Sequence, residues 1–175
     1  MSTLASLQSL FRYQTWAHDE LVEKLEGLDP EGQARARHDA LLLLNHILIV
    51  NRIFMGHLTR QPHGFTADNT PDTPTLESLK QALSTSDRWY MDHLQTLTPE
   101  ALTEPWHFVF TDGDSGCMTG EEMLLHVIVH GTYHRGEVGR LLRLAGAPLP
   151  WDTFAVHLHG REPQRRGLPA AAAVL

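Results

Sequence analysis

The sequence predicts a mainly α-helical protein, a four-helix bundle with one short hairpin or irregular excursion before the fourth helix. Four long segments repeat apolar residues every three to four positions, and stretches rich in Pro, Gly, Asp and Asn separate them. Aromatic and β-branched residues cluster in one brief stretch, PWHFVFTDGDSGCMTG, which is too small for a sheet domain. Helices with one apolar stripe each bury those stripes most simply against one another.

In the first helix, Leu4, Leu7, Phe11, Leu21, Leu25 and Leu28 hold the periodicity, and Gly27 or Asp29-Pro30 ends it. The second runs from about His38 to Leu58 and stops before RQPHGFTADNTPDTP, which supplies turn chemistry and no core. Thr75 or Thr73 caps the third, LESLKQALSTSDRWYMDHLQTL, and Pro99 follows its end. Asp112-Gly113 fits a two-residue hairpin turn. Thr119 and Glu122 have the spacing of a capping box and open the fourth helix, which ends near Gly146 before Pro148. Beyond Trp151-Asp152 a short element covers one end, and REPQRRGLPAAAAVL has no periodicity. The expected organisation is one domain over 1–160 and a C-terminal tail over 161–175. The long 61–74 and 98–118 connections permit helices that are not sequence neighbours to pair.

At 175 residues and 42% hydrophobic content, the chain suits one core. A formal charge of -7 with only 14 Lys and Arg argues against nucleic-acid binding, and the pair Arg165-Arg166 does not change that balance. The single cysteine, Cys117, excludes an internal disulfide framework and a multi-cysteine zinc site, and it fits a reducing compartment. The N-terminus lacks a basic region followed by an apolar run, and no segment reads as the ~20 apolar residues of a membrane span. The expectation is a cytoplasmic protein without membrane or nucleic-acid partners.

The chemistry lies in the histidines. His126, His130 and His134 recur every four residues in HVIVHGTYHRGEV, and two rings so spaced on one helix face can grip one metal ion. Residues eight apart are ~12 Å apart along the axis, so only two of the three can serve one ion. His130 and His134 share the inward stripe with Met123, Val127, Val138 and Leu141, whereas His126 sits on the neighbouring one. A third ligand must come from another helix. His46 is the candidate most deeply embedded in apolar sequence, between Leu41–Leu44 and Ile47–Val50, where an uncompensated ring is costly to bury. Three neutral imidazoles leave a coordination position open for water or substrate, the arrangement of a catalytic site. Packed histidines satisfied by carbonyls are the bland alternative, because 12 histidines produce some such spacings by chance.

Several chemistries are disfavoured on residue grounds. Gly131 and Val127 follow His130 and His126 where a zincin needs glutamate, Glu-x-x-His occurs once, as Glu104 and His107 in the hairpin stretch, and not on the paired helices that a di-iron bundle requires, and no G-x-S-x-G elbow occurs.

With these residues in place the chain resembles the DinB family of DinB/YfiT-like metalloenzymes. YQTWAHDEL is similar to the family's aromatic first helix, LNHILIVNRIFMGHL to its single-histidine second helix, and HVIVHGTYHRGEVGRLLRLAGAPLPWD to its fourth helix and exit, with H-x-x-x-H-R-G the specific element. The resemblance implies a four-helix bundle with a non-simple helix order, commonly a homodimer, with His46, His130 and His134 as ligands of a divalent metal, zinc or nickel. His126 matches a recurrent family histidine that is not usually a ligand, and Glu137 stands where the family more often carries Gln. Better-understood relatives use a low-molecular-weight thiol such as bacillithiol or mycothiol. The expected function is therefore metal-dependent thiol transfer onto a small-molecule substrate in stress response or detoxification; the alternatives are a non-enzymatic metal-binding protein and a metal-free helical bundle.

Other residues carry weaker expectations. Trp16, Trp106 and Trp151 are read as packing ahead of a pocket mouth. Arg135 is read as an ion-pair partner ahead of a substrate guide. Asn45 and Asn51 fit a ligand-orienting role and an exposed polar face equally well. Cys117 is assigned no role.

Overall fold

The computed structural model describes residues 2–167, and the protein is mainly helical with one two-stranded sheet. The first helix, α1, spans Thr3–Glu26, with Ser2 accepting the Ala5 N–H at its start. Next comes α2, Ala34–Thr59, which begins four residues before the expected His38 because a turn led by Asp29 runs straight into it. Asp29 takes the N–H groups of Glu31 and Gly32, and the Arg37 N–H already bonds back to the Gln33 carbonyl. Then α3, Leu76–Thr96, starts on Thr75, whose hydroxyl accepts from Ser78.

A five-residue helix, α4, Pro99–Thr103, was not foreseen, although Thr98 as N-cap with Pro99 in the first turn is a good start signal. The hairpin is β1, Pro105–Val109, against β2, Ser115–Thr119, antiparallel with Trp106 opposite Met118 and His107 opposite Cys117. Its connection is longer than the expected two residues. Gly113 adopts φ 96° and Asp112 accepts the Asp114 N–H, so the chain turns over several residues, a route that a side chain at position 113 would strain. The long α5, Gly120–Leu144, opens with the expected capping box of Thr119 and Glu122 and is followed by Gly146 at φ 72°. A final helix, α6, Phe154–Arg161, and a 3-10 turn over Pro163–Arg166 close the described chain. The start of the expected tail is thus ordered into helix and turn, and 168–175 lie outside the described residues.

The four long helices pack in pairs: α1 on α3 and α5, and α2 on α3 and α5. One apolar cluster joins Leu7 and Phe11 to Ile53, Phe54, Tyr90, Leu94, Met123 and Val127. The other joins Leu21 and Leu25 to Leu41, Leu44, Leu79, Leu83, Val138 and Leu142. The membership shows that α1 and α5 run one way while α2 and α3 run the other. Between the clusters, α1, α3 and α5 place buried polar residues: Gln14, His18, Asp87 and Arg135. His18 and Asp87, 2% and 3% exposed, pair at 2.8 Å, a contact with no spacing signature in the sequence.

Because α2 and α3 are parallel, the segment joining them must return along α2, whose 26 residues span ~39 Å at 1.5 Å each. The return starts tightly. Arg60 caps α2 in the left-handed conformation, and a Cβ on Gly56 would lie 2.8 Å from the His63 Cβ, so glycine is needed where the chain folds back. The apolarity of α2 also exceeds what the sequence reading allowed, since this helix is long and apolar enough to cross a membrane. Its most apolar window is 67% buried against the rest of the protein, the environment of a core helix.

Candidate metal centre

Antiparallel packing of α2 and α5 brings His46, from the middle of α2, opposite His130 and His134 in the middle of α5. One ring nitrogen from each lies within 4.8 Å of the others. The Nε2 atoms of His46 and His130 are 2.9 Å apart, and the His134 ring centroid is 4.6 Å from that of His46 and 4.5 Å from that of His130. Two nitrogens bound to one zinc at 2.0–2.1 Å in tetrahedral geometry stand about 3.3 Å apart, so small rotations suffice for all three to share a cation. The three predicted residues therefore form a group that could hold a metal ion. His126 is not in it; its ring stacks on Phe54 at 4.5 Å and is offset toward His130 at 5.5 Å.

The far nitrogens fix the rings. His46 Nδ1 donates to the Asp68 carbonyl at 2.8 Å, and His134 Nδ1 donates to the Glu137 carboxylate at 2.5 Å. Each bond puts the proton on Nδ1 and leaves Nε2 free as a ligand. His130 Nδ1 is buried without a partner. Burial, then the neighbouring His46, His134 and His126, push the His130 pKa down to about 3, so the ring is neutral and competent to bind a cation at neutral pH. The side chains of His46 and His134 remain 17% exposed, which leaves an approach from solvent.

The return segment builds half of this support. Asn45, 1% exposed, donates to Thr70 Oγ1 at 2.7 Å and to the Asn69 side chain, and Asn69 donates to the Leu42 carbonyl at 3.1 Å. These bonds dock the segment on α2 and set the Asp68 carbonyl over His46. Asn45 thus orients a candidate ligand through the backbone of a neighbour, and the stretch expected to supply only turns carries part of the site. Asn51 is also buried, not exposed; its carbonyl accepts the Tyr90 hydroxyl at 2.7 Å.

The remaining candidates fall elsewhere. Arg135 pairs with Asp152 at 2.7 Å, Trp16 packs beside Tyr13 and His157, Trp106 lies under the Arg60 guanidinium at 4.6 Å, and Trp151 is 73% exposed. Cys117 is exposed, with Sγ 4.0 Å from His107 Nε2 across the hairpin.

Two measurements probe the local physics. Glu137→Ala is expected to weaken zinc binding by about 10–100-fold, the usual consequence of removing an imidazole's outer partner, while Glu137→Gln keeps an acceptor and most of the affinity. Equal affinities for the two variants in competition titrations would remove the orienting role. Second, His130, and His57 with its pKa lowered to about 4 by burial and then by His63, titrate lower folded than unfolded. The unfolded chain binds their protons first, so stability is full above the unfolded value of about 6.5 and is lost as pH falls from there toward 4. A urea midpoint of chelator-treated protein that stays flat between pH 7 and 5 would contradict this.

The profile of the DinB family matches residues 1–166. A protein of Bacillus subtilis (strain 168) named Protein DinB is 27% identical over 157 residues, covering 82% of this chain and 88% of that protein. No solved structure matches the chain.

Proposed function

The chain belongs to the DinB family, and from that membership and the convergence of His46, His130 and His134 we propose a divalent-metal-binding protein that works as a thiol-dependent transferase. Zinc or nickel is the metal, since imidazole nitrogen suits both. Such a cation supplies Lewis acidity, lowering the pKa of a coordinated thiol so that the nucleophilic thiolate exists at neutral pH. The protein's own residues do the rest. The Asp68 carbonyl and the Glu137 carboxylate hold two rings with Nε2 forward, burial keeps His130 uncharged, and the partly exposed His46 and His134 leave one side of the group open for a cosubstrate.

The observation that carries this reading is that three imidazoles from two helices meet with two of their outer nitrogens already engaged. In this proposal the four long helices, in the cyclic order α1, α3, α2, α5, form a bundle within a single domain, and the setting is cytoplasmic stress response or detoxification of a small electrophile. A second reading is a metal that only stabilises the fold. It is favoured by the clefts of about 640 and 770 Å³, neither of which is lined by any of the three histidines.

Elemental analysis of untagged protein, followed by turnover assays with low-molecular-weight thiols and electrophiles, separates the two. One divalent ion per chain with turnover lost in His134→Ala is expected. Full metal content with no turnover across the panel would leave only the stabilising role.

A further inference from the structure

The C-terminal end of α2 and the hairpin enclose a cleft of about 640 Å³, a size that suits a small molecule. It lies apart from the candidate metal centre. Met123, in its wall, precedes His130 by seven positions, ~10 Å of helix axis, and none of the three histidines lines it.

The polar groups of the wall offer donors and few acceptors. Arg60 is the only Lys or Arg among them, and Trp106 Nε1 is a donor buried without an acceptor. His63 Nδ1 accepts the Phe65 N–H at 3.1 Å, which puts the proton of that ring on Nε2. The acceptors nearby are taken. The Gln61 and Arg60 N–H groups bond the Gly56 and His57 carbonyls, and Glu104, the only carboxylate in the wall, accepts from Arg60 at 2.7 Å. Burial, then His63, bring the His57 pKa down to about 4, so that ring adds no charge at neutral pH. Pro62, Pro105, Phe108 and Met123 supply apolar surface.

Arg60 holds its place against a conformational preference. It caps α2 at φ 57°, the one non-glycine residue with positive φ among the described residues, where glycine is the usual choice. Its side chain lies over Trp106, 4.6 Å from the ring centroid, and its ion pair with Glu104 is exposed on both sides. Exposed ion pairs hold weakly, so the guanidinium is free to exchange partners.

We propose that this cleft binds a small organic monocarboxylate with an aromatic or branched apolar body. The carboxylate of the ligand takes Arg60 from Glu104 and accepts the Trp106 indole N–H, and its body lies against Phe108 and Met123. One cation and one unmet donor match one carboxylate. A phosphate ester would leave its second charge unpaired, and a hydrocarbon would leave Trp106 Nε1 without an acceptor.

Phenylacetate titrated into the full chain tests this, followed by the Trp106 indole N–H resonance, which Trp106→Phe assigns. A saturable shift with one site per chain and a Kd at or below about 1 mM is expected. Phenylacetamide, which lacks the charge, and acetate, which lacks the body, should each bind at least about 10-fold more weakly, and inorganic phosphate should not compete. Arg60→Gly suits the left-handed cap, so the fold is retained, and should weaken phenylacetate by about 10–100-fold, the usual worth of a charge-assisted hydrogen bond. Glu104→Gln removes the competitor and should tighten it by about 2–5-fold, whereas a pair that only fastens the hairpin to α2 predicts no gain. The same binding is expected with chelator and in His130→Ala, which separates this site from the metal proposal. No saturable shift, equal affinity for phenylacetamide, or no tightening in Glu104→Gln would overturn the proposal.

Discussion

His130→Ala is expected to abolish specific binding of zinc or nickel, an effect well beyond the ~10–100-fold that loss of an outer partner brings. The His130 ring is buried at Nδ1, its Nε2 lies 2.9 Å from that of His46, and its centroid is 4.8 Å from that of His46 and 4.5 Å from that of His134. Its removal leaves two partly exposed imidazoles on different helices. Two such ligands hold a cation only weakly, because most coordination positions must then be filled by water. Stability gives an independent readout. A ligand present at 100 times its Kd stabilises the folded state by ~2.7 kcal/mol, which for a domain of this size corresponds to a rise of roughly 5–10 °C in melting temperature. Added zinc should produce that rise in the parent chain and none in His130→Ala. His126→Ala is the control, since that ring packs against Phe54 and His130 yet lies outside the converging group. Retention of near-parent affinity by His130→Ala would end the metal proposal while leaving the fold intact.

What the sequence showed about this site depended on range. The inward placement of His130 and His134 follows from helical periodicity, which is local, and the apolar surroundings of His46 marked it for burial wherever α2 packed. Glu137 was visible three residues after His134, but its role needed the side-chain direction that the structure supplies. Asp68 was not legible. Its backbone carbonyl makes the contact, and the parallel course of α2 and α3 that brings it over His46 is decided by the global arrangement of stripes, not by any residue in the loop. The same division holds for the fold. Caps are short-range chemistry, so Thr119 was legible outright and Thr75 as one of two candidates with Thr73, whereas the early start of α2 rests partly on Gln33 reaching the Ala145 carbonyl across the molecule. The buried pair His18–Asp87 joins residues 69 positions apart, and nothing near either residue announces the other.

Asp152→Ala is expected to destabilise the protein by about 3–5 kcal/mol, the cost of leaving one half of a buried ion pair uncompensated. The asymmetry of the pair sets the size. Asp152 is 17% exposed and, left alone, could recruit water, but the Arg135 side chain is 1% exposed and cannot shed its charge. Asp152 accepts from Arg135 Nε at 2.7 Å and NH2 at 3.4 Å and also takes the Tyr13 hydroxyl, so three donors from α1 and α5 lose their acceptor at once. Tyr13 registers the same environment: its pKa is raised, first by burial and then by the adjacent carboxylate. Since whole domains are stable by only ~5–15 kcal/mol, the loss should lower the melting temperature by roughly 6–20 °C. Arg135→Met/Asp152→Ala removes the stranded charge and should recover part of the deficit, although the Tyr13 hydroxyl remains without its acceptor. Asp152→Asn, which keeps a carbonyl acceptor but no charge, should fall between the parent and Asp152→Ala. If the double variant were no more stable than Asp152→Ala, the loss would come from the contacts of the segment before α6 and not from a buried guanidinium. A cost below about 1 kcal/mol for Asp152→Ala would mean that water reaches Arg135 once the carboxylate is gone, and the polar layer between the two apolar clusters would then be a solvated seam.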